Sequence, residues 1–351
     1  MKHMKAKLLF IALFIIISAG NVKSQDYHFS QFYDIPLLVN PANTGAFQGD
    51  QRVVLFYRNQ WASIMNPYES FGMSFDTRIW KNDSETGKLA MGLNIMRDKA
   101  GTSELSLTQA LVSVSYHQQL GETSILSAGI QGGFSQRSMN QTNLLWHNQY
   151  DPNAGTIDPT LPSGETYQYE GFNHADMSVG LLYSYVSPQS NMSSNDGVRF
   201  HIGGAFHHFN RPEKSFTDLF DHKLYSKITV HAKSTIGLAQ TNTGLVPSAI
   251  YQMQGPNTEI LAGLGFRFML QEQSRYTGFR KESALTLGCF YRFNDAAIPY
   301  VALEFANYAV GVSYDTNVSG LRRATNSVGG LEINLRYINP NPFKSGSKSF
   351  Y

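Results

Sequence analysis

Cysteine, long apolar runs and net charge are all scarce in this sequence. Cys289 is the single cysteine among 351 residues, so the chain can form neither an intramolecular disulfide nor a cysteine cage for a metal. The apolar run Leu8–Ala19 is too short for a helix that crosses a bilayer, which needs about 20 residues. The 28 basic residues nearly balance the 26 acidic ones, which gives no indication of a nucleic-acid partner.

The first 24 residues predict an export signal. Lys2, Lys5 and Lys7 precede the apolar run, and Val22–Ser24 offers a small-residue cleavage site before Gln25. Of the 28 basic residues in the whole chain, four lysines lie in this segment, so 24 basic residues remain against 26 acidic ones and the formal charge is −2. The mature chain is therefore expected outside the cytoplasm and nearly neutral.

From Arg52 to Tyr337 the sequence alternates apolar residues with small or polar ones, and each stretch ends in a turn. Successive side chains of a strand point to opposite faces, so such a stretch has one apolar and one polar face. In the last stretch the polar face consists of Glu332, Asn334 and Arg336. A series of such strands behind an export signal predicts a β-barrel in the bacterial outer membrane, with lipid outside and a polar lumen inside.

The fold class predicted is all-β, a transmembrane antiparallel barrel of about 14 strands, although about 12 or about 16 would also suit the pattern. The predicted domains are a signal peptide (1–24), an irregular N-terminal segment (25–51), the barrel (52–338) and a C-terminal tail (339–351). The candidate strands lie near residues 52–58, 70–80, 88–97, 104–118, 124–136, 175–187, 198–209, 223–238, 245–253, 259–270, 283–294, 297–305, 308–315 and 325–338.

The segment before the first strand is punctuated by Pro36, Asn40-Pro41 and Gly45, which predicts ordered but irregular structure. Small residues on the predicted inner face leave room for backbone, so we hypothesise that this segment folds into or under the lumen as a plug. With the N-terminus in the periplasm, the longest connection, 138–173, is expected outside the cell, because outer loops exceed periplasmic turns in length.

Three histidines on one predicted strand raise the question of a metal site. His201 and His207 share a face but lie about 20 Å apart at ~3.3 Å per residue, which is too far for one metal. His208 is expected on the opposite face. We interpret all three as lumen or interface side chains, and we expect no metal and no cofactor.

Enzyme signatures are also missing from the sequence. We find no Gly-x-Ser-x-Gly elbow, no HExxH, no glycine-rich phosphate loop and no calcium loop. The pairs Asp76 with Arg78 and Glu332 with Arg336 are interpreted as lumen charges that stabilise each other. A membrane-embedded hydrolase is therefore an alternative for which the sequence nominates no catalytic residue.

Three polar motifs interrupt the alternation: residues 40–45 (Asn-Pro-Ala-Asn-Thr-Gly), residues 57–61 (Tyr-Arg-Asn-Gln-Trp) and residues 97–101 (Arg-Asp-Lys-Ala-Gly). Each alone has an ordinary structural reading, namely a proline turn, an interface aromatic with an arginine anchor, and a charged hairpin. Together, and in this order, they carry more information than any one of them.

In this order the motifs resemble the PorP/SprF family of type IX secretion system outer-membrane proteins, found in the Bacteroidetes. The family opens with Phe-Ser-Gln and Asn-Pro-Ala before a glycine, continues with Arg-x-Gln-Trp and Asp-Lys-x-Gly, and closes with a Tyr-Asp hairpin and a glutamate on the last strand. Leu331 stands where family members often have a histidine. The resemblance makes the following residues candidates for partner contact: Phe29, Gln31, Asn40, Pro41, Gly45, Arg58, Gln60, Trp61, Asp98, Gly101, Tyr314, Asp315 and Glu332.

What the resemblance implies is a non-enzymatic outer-membrane barrel of the type IX secretion machinery, with gliding motility as a related role. Its implied partners are outer-membrane lipid, periplasmic ring subunits and secreted or surface-anchored cargo with a C-terminal sorting domain. The residues alone leave a second reading open, an outer-membrane diffusion channel or small-molecule transporter. Single-channel conductance would favour that second reading.

Overall fold

A computed structural model describes residues 26–61, 66–80, 87–140, 144–164, 171–187, 197–213, 223–271, 282–320 and 328–339. The predicted signal peptide and nearly all of the predicted C-terminal tail lie outside the described residues. Within them, no helix is long and apolar enough to cross a membrane.

Strands make up most of the described structure. Fourteen of them form one closed antiparallel barrel in chain order, and the last pairs with the first. Two short strands pair only with each other, inside the connection between the fifth and sixth barrel strands. In the described residues the strands are β1 (Gln51–Gln60), β2 (Tyr68–Trp80), β3 (Gly87–Ala100), β4 (Leu105–Gln119), β5 (Ser124–Ser138), β6 (Tyr150–Asp151), β7 (Thr156–Ile157), β8 (Phe172–Val186), β9 (Val198–His207), β10 (Lys227–Gly237), β11 (Thr243–Gln254), β12 (Asn257–Gln271), β13 (Ser283–Arg292), β14 (Ala296–Phe305), β15 (Tyr308–Asn317) and β16 (Val328–Asn339).

The predicted barrel is confirmed, and all fourteen candidate strands are found near their expected positions. Strand β2 shows why the alternation was informative. Phe71 on its outer face is 60% exposed, whereas Ser74 and Asp76 on its inner face are 2% and 0% exposed. The outward side chains of the barrel strands are mainly apolar, where a bilayer would cover them, and the polar side chains mainly face a buried interior.

The N-terminal segment lies inside the barrel. It consists of 3-10 turns at Phe32–Asp34 and Pro41–Asn43 around one α-helical turn at Pro36–Val39. We call the end of the barrel that carries the β5–β8 connection the loop end, and the end where β1 begins and β16 ends the turn end. The segment starts at the loop end, where Asp26 contacts His208, and leaves at the turn end, where the Asp50 amide donates to the Asn339 carbonyl.

Two apolar clusters join this segment to opposite parts of the barrel wall. Phe29 and Ile35 pack with the inward side chains of β1 and β3, and Phe32 and Val39 pack with those of β11 to β14. Burial of each such side chain contributes about 1.5–3 kcal/mol. The wall residues of the two clusters are Val54, Phe56, Met96, Ile250, Leu261, Phe290, Ala296, Ile298, Tyr300 and Ala302.

The first predicted charge pair, Asp76 with Arg78, is wrong. Asp76 pairs with Arg52 on the neighbouring strand at 2.7 Å. Arg78 instead donates to the carbonyls of Gly45 and Phe47 in the N-terminal segment. Residues two apart on a strand share a face, but they are farther from each other than cross-strand neighbours are.

The second predicted pair, Glu332 with Arg336, is wrong for the same reason. The Glu332 carboxylate pairs with Arg58 on β1, the strand next to it in the closed barrel, at 2.9 Å. Arg336 pairs with Asp34 of the N-terminal segment at 3.3 Å. In both places a side chain on another part of the chain offers the shorter contact.

Gly129→Ala is expected to destabilise the protein. A methyl group at this position would meet the backbone of Pro41 and Ala42, which cannot turn aside as the end of a side chain can. Overpacking of this kind costs about 1–3 kcal/mol, so the midpoint of thermal unfolding in detergent should fall. Gly132→Ala on the same strand is the matched control, because its nearest neighbour, the Asp176 carbonyl oxygen, would lie at 3.8 Å. Equal midpoints for the two variants would contradict this packing.

Candidate functional site

Four charged side chains of the barrel wall form a buried cluster near the loop end, which we call the charge cluster: Arg58, Arg292, Asp315 and Glu332. All four are less than 5% exposed. Besides the Arg58–Glu332 pair, Arg292 contacts Asp315 at 3.0 Å. Two guanidinium groups and two carboxylates thus balance each other in charge inside the barrel.

The N-terminal segment binds this cluster through its backbone. The Glu332 carboxylate accepts hydrogen bonds from the amides of Ser30, at 2.8 Å, and Gln31, at 3.0 Å. Arg58 donates to the carbonyl oxygen of His28 at 2.5 Å. Because charge-assisted hydrogen bonds are stronger than neutral ones, these contacts hold residues 28–31 firmly against the first and last strands.

Side chains of the same short stretch add specificity. The Ser30 hydroxyl donates to Asp315 at 2.7 Å and accepts from Arg292 at 2.5 Å. The Gln31 amide group donates to the Ser313 hydroxyl at 2.8 Å. A residue without a short hydroxyl at position 30 would leave Arg292 and Asp315 with one partner fewer each.

His28 lies beside the charge cluster as a neutral residue. Burial lowers the pKa of its imidazole well below the usual range, and the cations Arg58 and Arg292 lower it further. The neutral ring lies with its Nε2 atom 3.2 Å from Arg58, where a charged imidazolium would be repelled.

The Asn40-Pro41-Ala42 motif forms a second anchor at the middle of the barrel. The Asn40 side-chain oxygen accepts from the Ala42 amide at 2.9 Å, and its amide group donates to the Leu181 carbonyl on β8 at 2.9 Å. Asn40 is completely buried. Its amide therefore serves both as the cap of a 3-10 turn and as a bridge to the wall.

Gly45 ends this second anchor in a left-handed backbone conformation, with φ +75°, which glycine adopts without strain. Its amide donates to Asp76 at 2.7 Å. Just before it, the Thr44 hydroxyl donates to Ser113 at 2.8 Å. The conformation of Gly45 and these two contacts direct the chain toward the start of β1.

A third anchor holds the N-terminal segment at the loop end, and sequence analysis missed it. The imidazole of His208 lies between two carboxylates, 2.6 Å from Asp26 and 2.7 Å from Asp176. The Gln254 side chain also donates to Asp26, at 2.8 Å. The three parts of the chain are far apart in sequence, so no local pattern indicates this contact.

His208 faces the interior, contrary to the prediction that it lies on the face opposite His207. Its backbone is left-handed, with φ 53°, so the strand alternation ends at His207 and the next side chain turns inward as well. His207 contacts the Val39 carbonyl at 3.2 Å and His201 contacts Ser184 at 2.9 Å. In the part of the chain described, no three His, Cys, Asp or Glu side chains are grouped as a metal site would require.

Not all motif residues take part in these anchors. Gln60 ends β1, and Trp61 follows it at the rim of the loop end. The Trp61 amide donates to the Gly329 carbonyl at 2.6 Å, and its ring lies edge-on to Tyr68 at 5.1 Å. These residues tie the end of β1 to its two neighbouring strands.

Asp98, Gly101 and Tyr314 are also separate from the charge cluster. Asp98 accepts from the Ser70 hydroxyl at 2.6 Å. Gly101, with φ +69°, lies in the turn between β3 and β4. Tyr314 points outward and is 38% exposed. Their roles as partner contacts stay predictions.

Residues 26–50 as a whole contact every strand of the barrel. Thirteen strands make a polar contact to the segment, and β3 contributes apolar packing through Met96. The wall residues that make the polar contacts are Arg58, Asp76, Gln109, Gln131, Leu181, His207, His231, Gln254, Glu259, Arg292, Tyr300, Asp315 and Glu332. The segment is therefore bound around the full circumference of the barrel.

The sequence matches a family model over residues 21–337, and the family is described as type IX secretion system membrane protein PorP/SprF. No curated protein matches the sequence.

Solved structures with a similar fold are membrane barrels of low sequence identity. The CymD monoaromatic hydrocarbon channel is 10% identical, with a TM-score of 0.44 over 92% of this chain and 96% of that one. The translocator domain of the autotransporter NalP from Neisseria meningitidis is 12% identical, with a TM-score of 0.43 over 88% of this chain and 95% of that one.

Glu332→Gln is expected to destabilise the folded barrel strongly. The neutral amide cannot balance the buried Arg58, and it replaces a carboxylate that accepts from two backbone amides. Removal of one partner of a buried ion pair costs about 3–5 kcal/mol, which would appear as a lower midpoint of unfolding in detergent. The control is Glu104→Gln, since Glu104 is 40% exposed in its pair with Lys99 and such pairs contribute about 0–1 kcal/mol. Similar midpoints for both variants would disprove the role given to Glu332.

The His208 anchor is expected to weaken in alkaline solution. Burial alone would lower the pKa of His208, but the Asp26 and Asp176 carboxylates raise it from 6.5 to about 9. A group with a raised pKa contributes stability that is complete below about pH 6.5 and is lost as the pH rises through about 9. The same contact holds the pKa of Asp26 below its ordinary 3.8. The contribution of Asp26 to stability is therefore complete above about pH 3.8 and is lost only in strong acid.

The measurement is the difference in unfolding midpoint between wild type and His208→Asn at several pH values. The difference should favour wild type most near pH 6.5, shrink as the pH rises toward about 9, and change little beyond that. Tyrosines and lysines that also titrate in alkaline solution are common to both proteins and cancel in the difference. A difference that stays constant between pH 7 and pH 10 would be inconsistent with a charged His208.

Proposed function

Because the chain belongs to the PorP/SprF family of type IX secretion system membrane proteins, we propose that it is a non-enzymatic outer-membrane component of that machinery. It acts by attachment to other proteins, and its lumen is closed by its own N-terminal segment. The alternative, a diffusion channel or small-molecule transporter, requires a continuous path that this segment would interrupt.

The observation that carries the proposal is the course of residues 26–50 through the barrel. The segment extends from the loop end to the turn end and contacts all fourteen strands, as described above. Its contacts at the charge cluster are buried and charge-assisted, so displacement of the segment would leave Arg58 and Glu332 without three of their partners. A barrel filled in this way is stiffened from inside, which suits a protein that bears a mechanical or assembly load.

The two ends of the barrel would meet different partners. Outer-membrane barrels have short periplasmic turns and longer outer loops, and the longest connection here, between β5 and β8, is at the loop end. The loop end then faces the outside and the turn end faces the periplasm. Periplasmic ring subunits would bind at the turn end. Secreted or surface-anchored cargo with a C-terminal sorting domain, in secretion or in gliding motility, would bind at the loop end.

The test is an affinity purification of the tagged full-length protein from mildly solubilised outer membranes, followed by conductance measurements on the same sample in planar bilayers. We expect periplasmic ring subunits or a sorting-domain protein to co-purify. We expect the purified barrel to show no stable open-channel current, because the segment fills the lumen.

Two variants make the test specific. Glu332→Gln should raise the frequency of current steps by loosening the segment, whereas the control Glu104→Gln should not. Recovery of the wild-type barrel alone, with a steady conductance that neither variant changes, would reject the proposed function in favour of the channel.

A further inference from the structure

Arg137 is a buried arginine at the loop end of the barrel. It is the second-last residue of β5 and is 9% exposed. Its Nε atom has no hydrogen-bond partner. The two carboxylates whose charge acts on it, Asp26 and Asp98, are bound elsewhere, the first to His208 and the second to Ser70.

The other buried arginines of the described chain differ from Arg137 in this respect. Arg52 pairs with Asp76 at 2.7 Å, and the two arginines of the charge cluster pair with Glu332 and Asp315 at 2.9 Å and 3.0 Å. Each of them has a carboxylate within 4.0 Å, and among the described residues Arg137 has none. A buried charge without a counter-charge is unfavourable, so the position of Arg137 indicates a partner from outside the described chain.

His174 on the neighbouring strand presents a second unsatisfied nitrogen. It lies on the inward face of β8, in register with Ser135 and so two residues along from Arg137. Its Nδ1 atom is buried without a hydrogen-bond partner, and its ring is tilted against Phe172 at 5.9 Å. Arg137 and His174 thus lie at neighbouring inward positions of adjacent strands near the loop end, each with a buried nitrogen atom that has no hydrogen-bond partner.

We propose that Arg137 and His174 form a binding site for an oxyanion that enters from the loop end. The ligand is a carboxylate or a phosphate group, because the planar guanidinium matches both geometries with two parallel hydrogen bonds. The neighbouring carboxylates Asp26 and Asp176 do not occupy the site themselves, since both are bound by His208. The site does not depend on the proposed function. A partner at that end would insert an acidic or phosphorylated group into it.

The experiment uses the full-length protein in detergent micelles near pH 7. The midpoint of thermal unfolding is followed as inorganic phosphate or acetate is added, with chloride at matched ionic strength as the reference. A ligand that binds only the folded state raises the midpoint in a saturable way. We expect such a rise for wild type with at least one of the two anions.

Variants assign the response to the site. Arg137→Gln should abolish the anion response. Arg137→Lys should retain a weaker response, with an apparent dissociation constant at least about tenfold higher. Lys99→Gln, at the same end but paired with Glu104, should behave as wild type. Without added anion, Arg137→Gln should be as stable as wild type or more so, because it removes an uncompensated buried charge.

The outcomes separate cleanly. A saturable response to phosphate alone indicates a phosphate group such as that of a lipid headgroup, and an equal or stronger response to acetate indicates an acidic side chain or chain terminus. No saturable response of wild type to either anion, or the same response in wild type and Arg137→Gln, overturns the proposal. If Arg137→Gln does not fold, an unchanged affinity in Arg137→Lys overturns it instead.

Discussion

The contact between Glu332 and the backbone of residues 30 and 31 is the one on which the rest of the barrel interior depends. Glu332 lies on the last strand, its partner Arg58 lies on the first, and the two amides belong to the segment that precedes both. A carboxylate and a guanidinium taken out of water are unfavourable unless each is paired and its remaining hydrogen-bonding capacity is used. The segment supplies that capacity. Barrel closure, burial of the lumen charges and placement of the segment therefore stabilise one another.

The wall of the barrel could be predicted from the sequence because its signal is local. A period of two residues separates the lipid face from the lumen face within each strand, so Phe71 and Ser74 could be assigned to opposite sides without knowledge of their neighbours. The interior could not be predicted in the same way. The Ser30–Glu332 bond joins residues 302 positions apart, and the pairings expected from proximity in sequence, Asp76 with Arg78 and Glu332 with Arg336, were wrong. The prediction for His208 failed for a further reason. The left-handed backbone of His208 itself turns its side chain to the inner face.

The motifs that carry the family resemblance are of two physical kinds. Gln31, Asn40, Gly45, Arg58, Asp315 and Glu332 lie inside and hold the segment to the wall, whereas Trp61, Gly101 and Tyr314 lie at or near the loop end, on the rim or outer face. Residues of the first kind cannot touch a partner while the segment is in place. The geometry of the lumen explains why these residue types are needed, because a carboxylate, a short hydroxyl and a glycine each have a required position there. A partner must then be recognised by the rim, the connections or the lipid-facing surface.

Charge pairing inside the barrel adds a last constraint on how the protein can work. At the charge cluster, at Arg52 with Asp76 and at Arg336 with Asp34, each buried arginine lies against a carboxylate. Only at the loop end does the described chain leave a buried cation, Arg137, without a close counter-charge. A lumen filled by the N-terminal segment, with one buried cation left without a close counter-charge at the loop end, agrees with the proposed attachment of a partner there. The contacts of the interior thus support the proposed attachment role by a route separate from the family to which the chain belongs.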